Sequence, residues 1–89
     1  MIEREIVVSN KLGLHARASA KLVQLVHGFK STVWLISSGR EVNAQSIMGV
    51  MMLAAGIGTT LTVRADGPDE QAAVTAVTDL FERKFDEGA

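Results

Sequence analysis

The spacing of the apolar residues changes several times along this chain of 89 residues. Apolar and polar residues alternate at 2–8 and again at 59–65, which is the period of a half-buried strand, and 31–37 are β-branched and apolar. The segments between and after these repeat their apolar residues at three- and four-residue intervals, as helices with one buried stripe do. With a turn at "SSGR" and a returning strand at "REVNA", the predicted element order is βαββαβα.

The alternation also predicts which face of the two alternating strands is buried. Glu3 and Glu5 fall on one side of the first strand, so the opposite side carries its apolar residues. The predicted inward residues are Ile2, Ile6 and Val8 in the first strand and Leu61, Val63 and Ala65 in the last.

The first helix is expected to begin near Ala16, after a loop at 9–14. Gly28 is predicted at its C-terminal end, where a glycine in the left-handed conformation often stops a helix, with Phe29 packing just beyond it. The predicted apolar stripe of this helix consists of Leu22, Val23 and Val26 with the small Ala16 and Ala20.

The other two helices have polar residues at their predicted starts. Ser46 is predicted to cap a short, methionine-rich helix at 47–53, because a serine oxygen can accept a hydrogen bond from an unpaired N–H of the first turn. Asp69 is predicted to cap the last helix in the same way, and Arg83 and Lys84 to complement its dipole at the other end. The predicted stripe of the last helix is Val74, Val77, Leu80 and Phe81.

The helices all need an apolar surface on which to bury their stripes. The two connections that contain a helix between strands are long enough to cross over the sheet, so the helices can share one face of it. The expected fold is therefore α+β, with four strands covered on one side by three helices. At this length we expect a single domain over 1–89.

Composition excludes several classes of function. The chain has 9 basic and 10 acidic residues, which predicts neither nucleic acid nor a bilayer as partner, and it has no cysteine for disulfides or thiolate metal sites. The segment "MIEREIVV" lacks the apolar core of a secretory signal, and "IMGVMMLAAGIG" is too short and glycine-rich to span a membrane. We expect a cytoplasmic protein without membrane insertion.

The segment "GLHAR" at 13–17 places an imidazole and a guanidinium at a helix start. His15 keeps a nucleophilic nitrogen available near neutral pH, and Arg17 offers a planar set of donors suited to phosphate oxygens. The unpaired N–H groups of the first turn attract anions, and Gly13 leaves the approach open. The pattern indicates phosphoryl chemistry, although a histidine there can also be a simple surface or capping residue. No metal or other cofactor is expected, because no second ligand lies at metal-binding spacing.

The second histidine, His27, lies in the last turn of the first helix beside Gly28. A positive or dipolar side chain complements the negative end of a helix, so we interpret His27 as structural.

Three blocks of sequence resemble one family. "GLHARASAKLV" from 13, "SIMGVMMLAAGIGT" at 46–59 and "ADGPDEQAA" at 65–73 are similar, at the same spacing, to HPr, the histidine-containing phosphocarrier family of the bacterial phosphoenolpyruvate-dependent sugar phosphotransferase system. The resemblance implies an open-faced β-sandwich, in which three helices back a four-stranded antiparallel sheet.

The resemblance also implies a function for "GLHAR". His15 would accept a phosphoryl group on Nδ1 from enzyme I, which takes it from phosphoenolpyruvate, and would donate it to a histidine of enzyme IIA. Arg17 would pair with the phosphoryl oxygens. Such a carrier acts as an intermediate without turnover of its own, and a monomer is the expected state. Most relatives have proline at the position of Ala18, and alanine should leave the chemistry intact because proline supplies no functional group there.

The methionine-rich helix is predicted to form part of a binding surface. Its apolar residues cannot all face a core, although methionine often does no more than fill gaps there. By resemblance to HPr, this face would contact enzyme I and enzyme IIA. The expected contact residues are Ile47, Met48 and Met51, with Ala20 and Gln24 from the first helix.

Ser46 matches, by the same resemblance, the regulatory serine of many HPr proteins. The implied third partner is the HPr kinase/phosphorylase, which would phosphorylate this residue. The alternative is that Ser46 is only a helix cap.

Two other functions remain open from the sequence. One is a member of the nitrogen-related phosphotransferase branch, an HPr-like protein with a mainly regulatory role. The other is an adaptor in which His15 is incidental and the methionine-rich face binds a regulator.

Overall fold

Four strands and three helices follow one another in the predicted order βαββαβα. The computed structural model describes residues 1–87. The elements are β1 (Ile2–Val7), α1 (Ala16–His27), β2 (Thr32–Ser37), β3 (Arg40–Asn43), α2 (Ile47–Met52), β4 (Thr60–Asp66) and α3 (Glu70–Glu82), followed by a single 3₁₀ turn at Lys84–Asp86. The predicted α+β fold class is confirmed.

The four strands form one antiparallel sheet in the order β1-β4-β2-β3. Because β4 pairs with both β1 and β2, the last strand of the sequence lies in the interior of the sheet. Ala65 of β4 is opposite Ile2 on one side and Val33 on the other, and all three belong to the row that faces the helices. Arg64 lies in the next row, on the open face, where it bonds to Glu3 and Glu41 at 2.7 Å each.

The core lies between the sheet and the helices. Its fully buried side chains include Leu22 and Val26 of α1 and Leu61 and Val63 of β4, and the burial of each stabilises the fold by roughly 1.5–3 kcal/mol. The largest buried residues are Phe81 and Phe85, whose rings meet edge to face at a centroid distance of 4.8 Å.

The predicted stripe of α1 is wrong at its first residue. Ala16 is exposed, whereas Ala18 and Ser19 are buried. Ala18 lies four residues before Leu22 and eight before Val26, so it shares their face, while Ala16 is rotated away from it. Ala20 is half-buried.

The helix α1 ends at Gly28 as predicted, and Phe29 packs against the core, but Gly28 is not in the left-handed conformation. Gly28 has a φ of −77°, so it stays in the right-handed region. Its N–H donates to the carbonyl of Leu25 at 3.1 Å, and that of Phe29 donates to Val26 at 3.0 Å. These tighter bonds satisfy the last carbonyls of the helix, and no left-handed residue is needed there.

Asp69 occupies the cap position of α3, but its carboxylate is not bonded to that helix. It accepts hydrogen bonds from the N–H of Lys30 at 2.9 Å, from the N–H of Ser31 at 2.9 Å and from the Ser31 hydroxyl at 2.6 Å. The predicted capping role is therefore wrong, because these donors compete for the carboxylate. The hydrogen bond from the Ser31 hydroxyl and those from the backbone outweigh burial and lower the pKa of Asp69.

The last helix ends earlier than predicted. It stops at Glu82, so Lys84 lies outside it, and Arg83 forms ion pairs with Asp79 and Asp86. The segment Lys84–Asp86 then turns back with φ values of 56°, 55° and 60°. Left-handed torsions are unfavourable for residues with a Cβ, and the complete burial of Phe85 offsets this.

No helix among residues 1–87 is long and apolar enough to cross a membrane.

We predict that Asp69→Asn lowers the melting temperature by several degrees at neutral pH. An amide at this position presents donors to the N–H groups of Lys30 and Ser31, and at least one bond is lost. The folded-state pKa of Asp69 lies below its ordinary value of 3.8, so its stabilisation is complete above that pH and disappears as the pH falls through the folded-state pKa.

Thermal unfolding of wild type and variant across this acid range tests the prediction. The two melting temperatures should converge at low pH. Asp66→Asn is the matched control, since its carboxylate is exposed and, among residues 1–87, forms one ion pair, with the terminal amine at 3.6 Å. An effect of equal size in both variants would contradict the prediction.

Candidate functional site

His15 lies at the start of α1, where it occupies the N-cap position with φ −74° and ψ 179°. Its carbonyl accepts the N–H of Ser19 at 2.9 Å, while its side chain makes no capping bond. The imidazole is therefore available for other contacts, and 28% of the side chain is exposed. The sequence predicted this placement at a helix start.

Gly13 holds the preceding loop against the segment after α2. Its φ is +66°, and a Cβ on it would lie only 2.4 Å from the carbonyl oxygen of Ala55 and 2.8 Å from Cα of Gly56. The next N–H, that of Leu14, donates to this Ala55 oxygen at 2.9 Å. Only glycine combines this torsion with this approach, and the contact fixes the backbone that carries His15.

His15 and Arg17 line the same concave surface, together with Lys11 and Lys21. Arg17 is exposed, and among residues 1–87 it forms no ion pair. Asp86 and Glu87 also line this surface, but the first turn of α1 itself contains no acidic residue that would neutralise the partial positive charge of the helix start. This surface can receive an anion.

Glu87 contacts His15 directly, and the sequence did not predict it. Its Oε2 lies 2.5 Å from Nε2 of the imidazole, and its Oε1 accepts a hydrogen bond from Nδ2 of the buried Asn10 at 3.1 Å. Burial raises the pKa of the Glu87 carboxyl, but the hydrogen bonds from His15 and Asn10, with the electrostatic attraction of His15 and Lys21, outweigh it and lower the pKa. The sequence feature that could have indicated this contact is Phe85. It is an apolar residue beyond the predicted stripe of the last helix, and its burial brings the residues after it back to the core.

Ser46 caps α2 as predicted. Its Oγ accepts the N–H of Gly49 at 3.1 Å, and the residue is exposed.

The apolar residues of α2 lie mostly at the surface. Val50 is the buried residue of this helix, whereas Met48 is 70% exposed. Because α2 packs against α1, the half-buried Ala20 and the exposed Gln24 belong to the helix beside it. The large exposed apolar residues of α2 are Ile47, Met48, Met51 and Met52. Elsewhere among the described residues they are Met1, Val7, Leu12 and Ile57, none of which the sequence singled out as a contact residue.

His27 is exposed at the end of α1, and its Nε2 lies 3.2 Å from the carbonyl oxygen of Gln45. It thus contacts the segment before Ser46 and lies away from the concave surface.

A family model described as "PTS HPr component phosphorylation site" matches residues 2–83. The chain belongs to the HPr phosphocarrier family. The HPr of Xylella fastidiosa (strain 9a5c) is 59% identical to it over 87 residues, which cover 98% of each chain. Proteins of this family interact with enzymes of the phosphotransferase system.

Solved HPr structures have the same fold. The crystal structure of HPr from Thermoanaerobacter tengcongensis superposes with a TM-score of 0.94 at 44% identity and covers 98% of both chains.

The nitrogen-related branch is less similar. The phosphocarrier protein NPr of Shewanella violacea is 39% identical over 88 residues, which cover 99% of this chain and 97% of that one. The similarity to HPr proteins is greater, so the sugar-system interpretation is the better supported of the two.

The close contact at Gly13 predicts that Gly13→Ala destabilises the fold more than Gly39→Ala. Both glycines have positive φ, so alanine costs about 1–2 kcal/mol at each from its torsions alone. A Cβ at Gly39 meets nothing within 4 Å, whereas at Gly13 it meets backbone atoms, which adds roughly 1–3 kcal/mol.

Urea denaturation of the two variants measures this difference in the free energy of unfolding. Equal losses would show that the backbone approach at Ala55 does not constrain the loop.

Proposed function

We propose that this chain carries a phosphoryl group on Nδ1 of His15, which it receives from phosphorylated enzyme I and donates to enzyme IIA. The observation that supports this most directly is the part-exposed imidazole at the start of α1, with its Nε2 against Glu87 and Arg17 on the same concave surface.

The transfer itself is a displacement at phosphorus. The lone pair of His15 Nδ1 attacks the phosphoryl group of a phosphohistidine on enzyme I, a new P–N bond forms, and the old one breaks. Arg17 and the free N–H groups at the start of α1 face the phosphoryl oxygens and balance their charge. The chain supplies mainly position and charge, as is general in phosphoryl transfer.

The proposed docking surface is the exposed apolar face of α2 with the neighbouring part of α1. Its predicted contact residues are Ile47, Met48 and Met51, with Ala20 and Gln24. Methionine side chains adapt to differently shaped partners, which suits a carrier that must bind enzyme I and enzyme IIA in turn.

Ser46 is the proposed regulatory site, and an HPr kinase/phosphorylase is the proposed enzyme that modifies it. Its exposed hydroxyl lies at the start of α2, where added negative charge is tolerated by the helix. A phosphate carries about −1.5 to −2 charges at neutral pH and would lie at the edge of the apolar docking surface. Docking partners would then have to remove water from that charge.

We propose a monomer in the cytoplasm as the working form, because the surface around His15 must stay open to two partners. A relative from Thermoanaerobacter tengcongensis has been crystallised as a dimer.

We predict that His15→Ala abolishes phosphorylation by enzyme I and phosphoenolpyruvate. Arg17→Ala should retain the nucleophile and slow transfer by roughly a hundredfold, the usual effect of removing one donor that faces developing charge. His27→Ala is the matched control and should react like wild type.

An acid-labile, base-stable phosphate on the wild type, measured by mass spectrometry and quenched-flow kinetics, checks these outcomes. Full phosphorylation of His15→Ala would reject the carrier function.

A second prediction concerns Ser46→Asp. Aspartate can accept the same N–H of Gly49, so the melting temperature should change little. Phosphorylation of His15 should slow by roughly tenfold or more, because the charge must be desolvated on docking.

Gln71→Glu is the control for added charge, since Gln71 is exposed on α3. Rates that are the same in both variants and the wild type would remove the support for regulation at Ser46.

A further inference from the structure

Glu87 is connected to the candidate phosphorylation site by two hydrogen bonds, and each of its carboxylate oxygens accepts one of them. Oε2 contacts Nε2 of His15 at 2.5 Å, and Oε1 accepts the amide of Asn10 at 3.1 Å. Only 15% of the Glu87 side chain is exposed. A carboxylate with both oxygens engaged and little access to water holds a defined position.

The position of Glu87 depends on the segment before it. Phe85 is completely buried, and its carbonyl oxygen accepts a hydrogen bond from Nζ of Lys21 at 2.6 Å. These two contacts hold Phe85 in place. Glu87, two residues further along the chain, therefore lies beside His15. The segment is thus anchored to α1 independently of the contact between Glu87 and His15.

Asn10 fixes the carboxylate from the other side. It is completely buried, and its amide nitrogen donates to the carbonyl of Gly13 at 2.8 Å as well as to Glu87. Both partners are acceptors, so the nitrogen must face them and the oxygen must point away. That oxygen has no partner among the described residues, so Asn10 retains this orientation despite leaving a buried acceptor unpaired.

The proton positions follow from these bonds. An ionised carboxylate can only accept hydrogen bonds, so Nε2 of His15 must be the donor in the contact with Glu87. In a neutral imidazole the other nitrogen then carries the lone pair. That nitrogen is Nδ1.

We propose that Glu87, held by Asn10, is a positioning residue that keeps the proton of His15 on Nε2 and presents the Nδ1 lone pair to the incoming phosphoryl group. The inference rests on the proposed function of His15 and adds a role for the C-terminal segment.

The same contact accounts for charge balance during transfer. When Nδ1 forms its bond to phosphorus, the ring retains the proton on Nε2 and becomes positively charged. Glu87 faces that charge at hydrogen-bond distance, so no proton has to leave His15. When the group passes on, the P–N bond breaks, its electron pair returns to Nδ1, and the ring is neutral again.

Three variants of the full chain test the role. Glu87→Ala removes both the acceptor and the charge, whereas Glu87→Gln retains an oxygen that can accept from Nε2. Glu82→Ala is the control, because it removes the same charge from an exposed position near the end of α3. Melting temperatures and the amide signal of Phe85 report whether the segment stays anchored.

The first readout is the ¹⁵N spectrum of the His15 ring at a pH where it is neutral. Wild type, Glu87→Gln and Glu82→Ala should have the proton on Nε2 alone, and Glu87→Ala should have a detectable fraction on Nδ1. The second is the rate of phosphorylation by phosphorylated enzyme I, which should fall about fivefold in Glu87→Ala, a change of ~1 kcal/mol in the barrier. Glu87→Gln should be slower than wild type, since it lacks the charge that faces the imidazolium.

A Glu87→Ala rate equal to that of wild type overturns the positioning role, whatever the ring spectrum shows. This failure is distinct from failure of the carrier function, which would require His15→Ala to be phosphorylated normally.

Discussion

The backbone contact between Gly13 and the Ala55–Gly56 segment is the constraint on which the site depends. It joins the loop before α1 to the loop after α2, and the bond from the N–H of Leu14 to Ala55 orients the first turn of α1. As a result, His15 and the apolar residues of α2 are held by one connected piece of backbone. A partner that docks on α2 therefore meets the imidazole at a fixed position relative to its contact surface.

Groups of both charges surround His15. The start of α1, Arg17 and the nearby lysines attract an anion to the concave surface, and Glu87, which lines the same surface, faces Nε2 of the imidazole and attracts positive charge there. An imidazole that alternates between neutral and positive states while it gains and loses a phosphoryl group is stabilised in both by this arrangement. The imidazole lies on an open surface and not in a closed cavity, which suits a phosphoryl group that must be passed to another protein.

The sequence predicted the parts of this structure that depend on near neighbours along the chain. Periodicity identified the strands and helices, and Ser46 caps α2 through Gly49, only three residues away. Asp69 was assigned to the wrong donors because Lys30 and Ser31 are 39 and 38 residues away. Glu87 was missed for the same reason, since His15 lies 72 residues before it. Such contacts are set by tertiary packing, in this case by the burial of Phe85 and the bond to its carbonyl from Lys21, which lies 64 residues earlier in the sequence.

The carboxylate that contacts His15 comes from a distant part of the sequence and is held in place by the core. The buried Phe85 and the bond from Lys21 fix the C-terminal segment on α1, so the energy that orients the carboxylate comes from the core. The imidazole itself then needs few contacts and can stay partly exposed. Two residues of one short segment therefore have different roles. The buried ring of Phe85 stabilises the fold, and the carboxylate of Glu87 contacts His15 at the edge of the site.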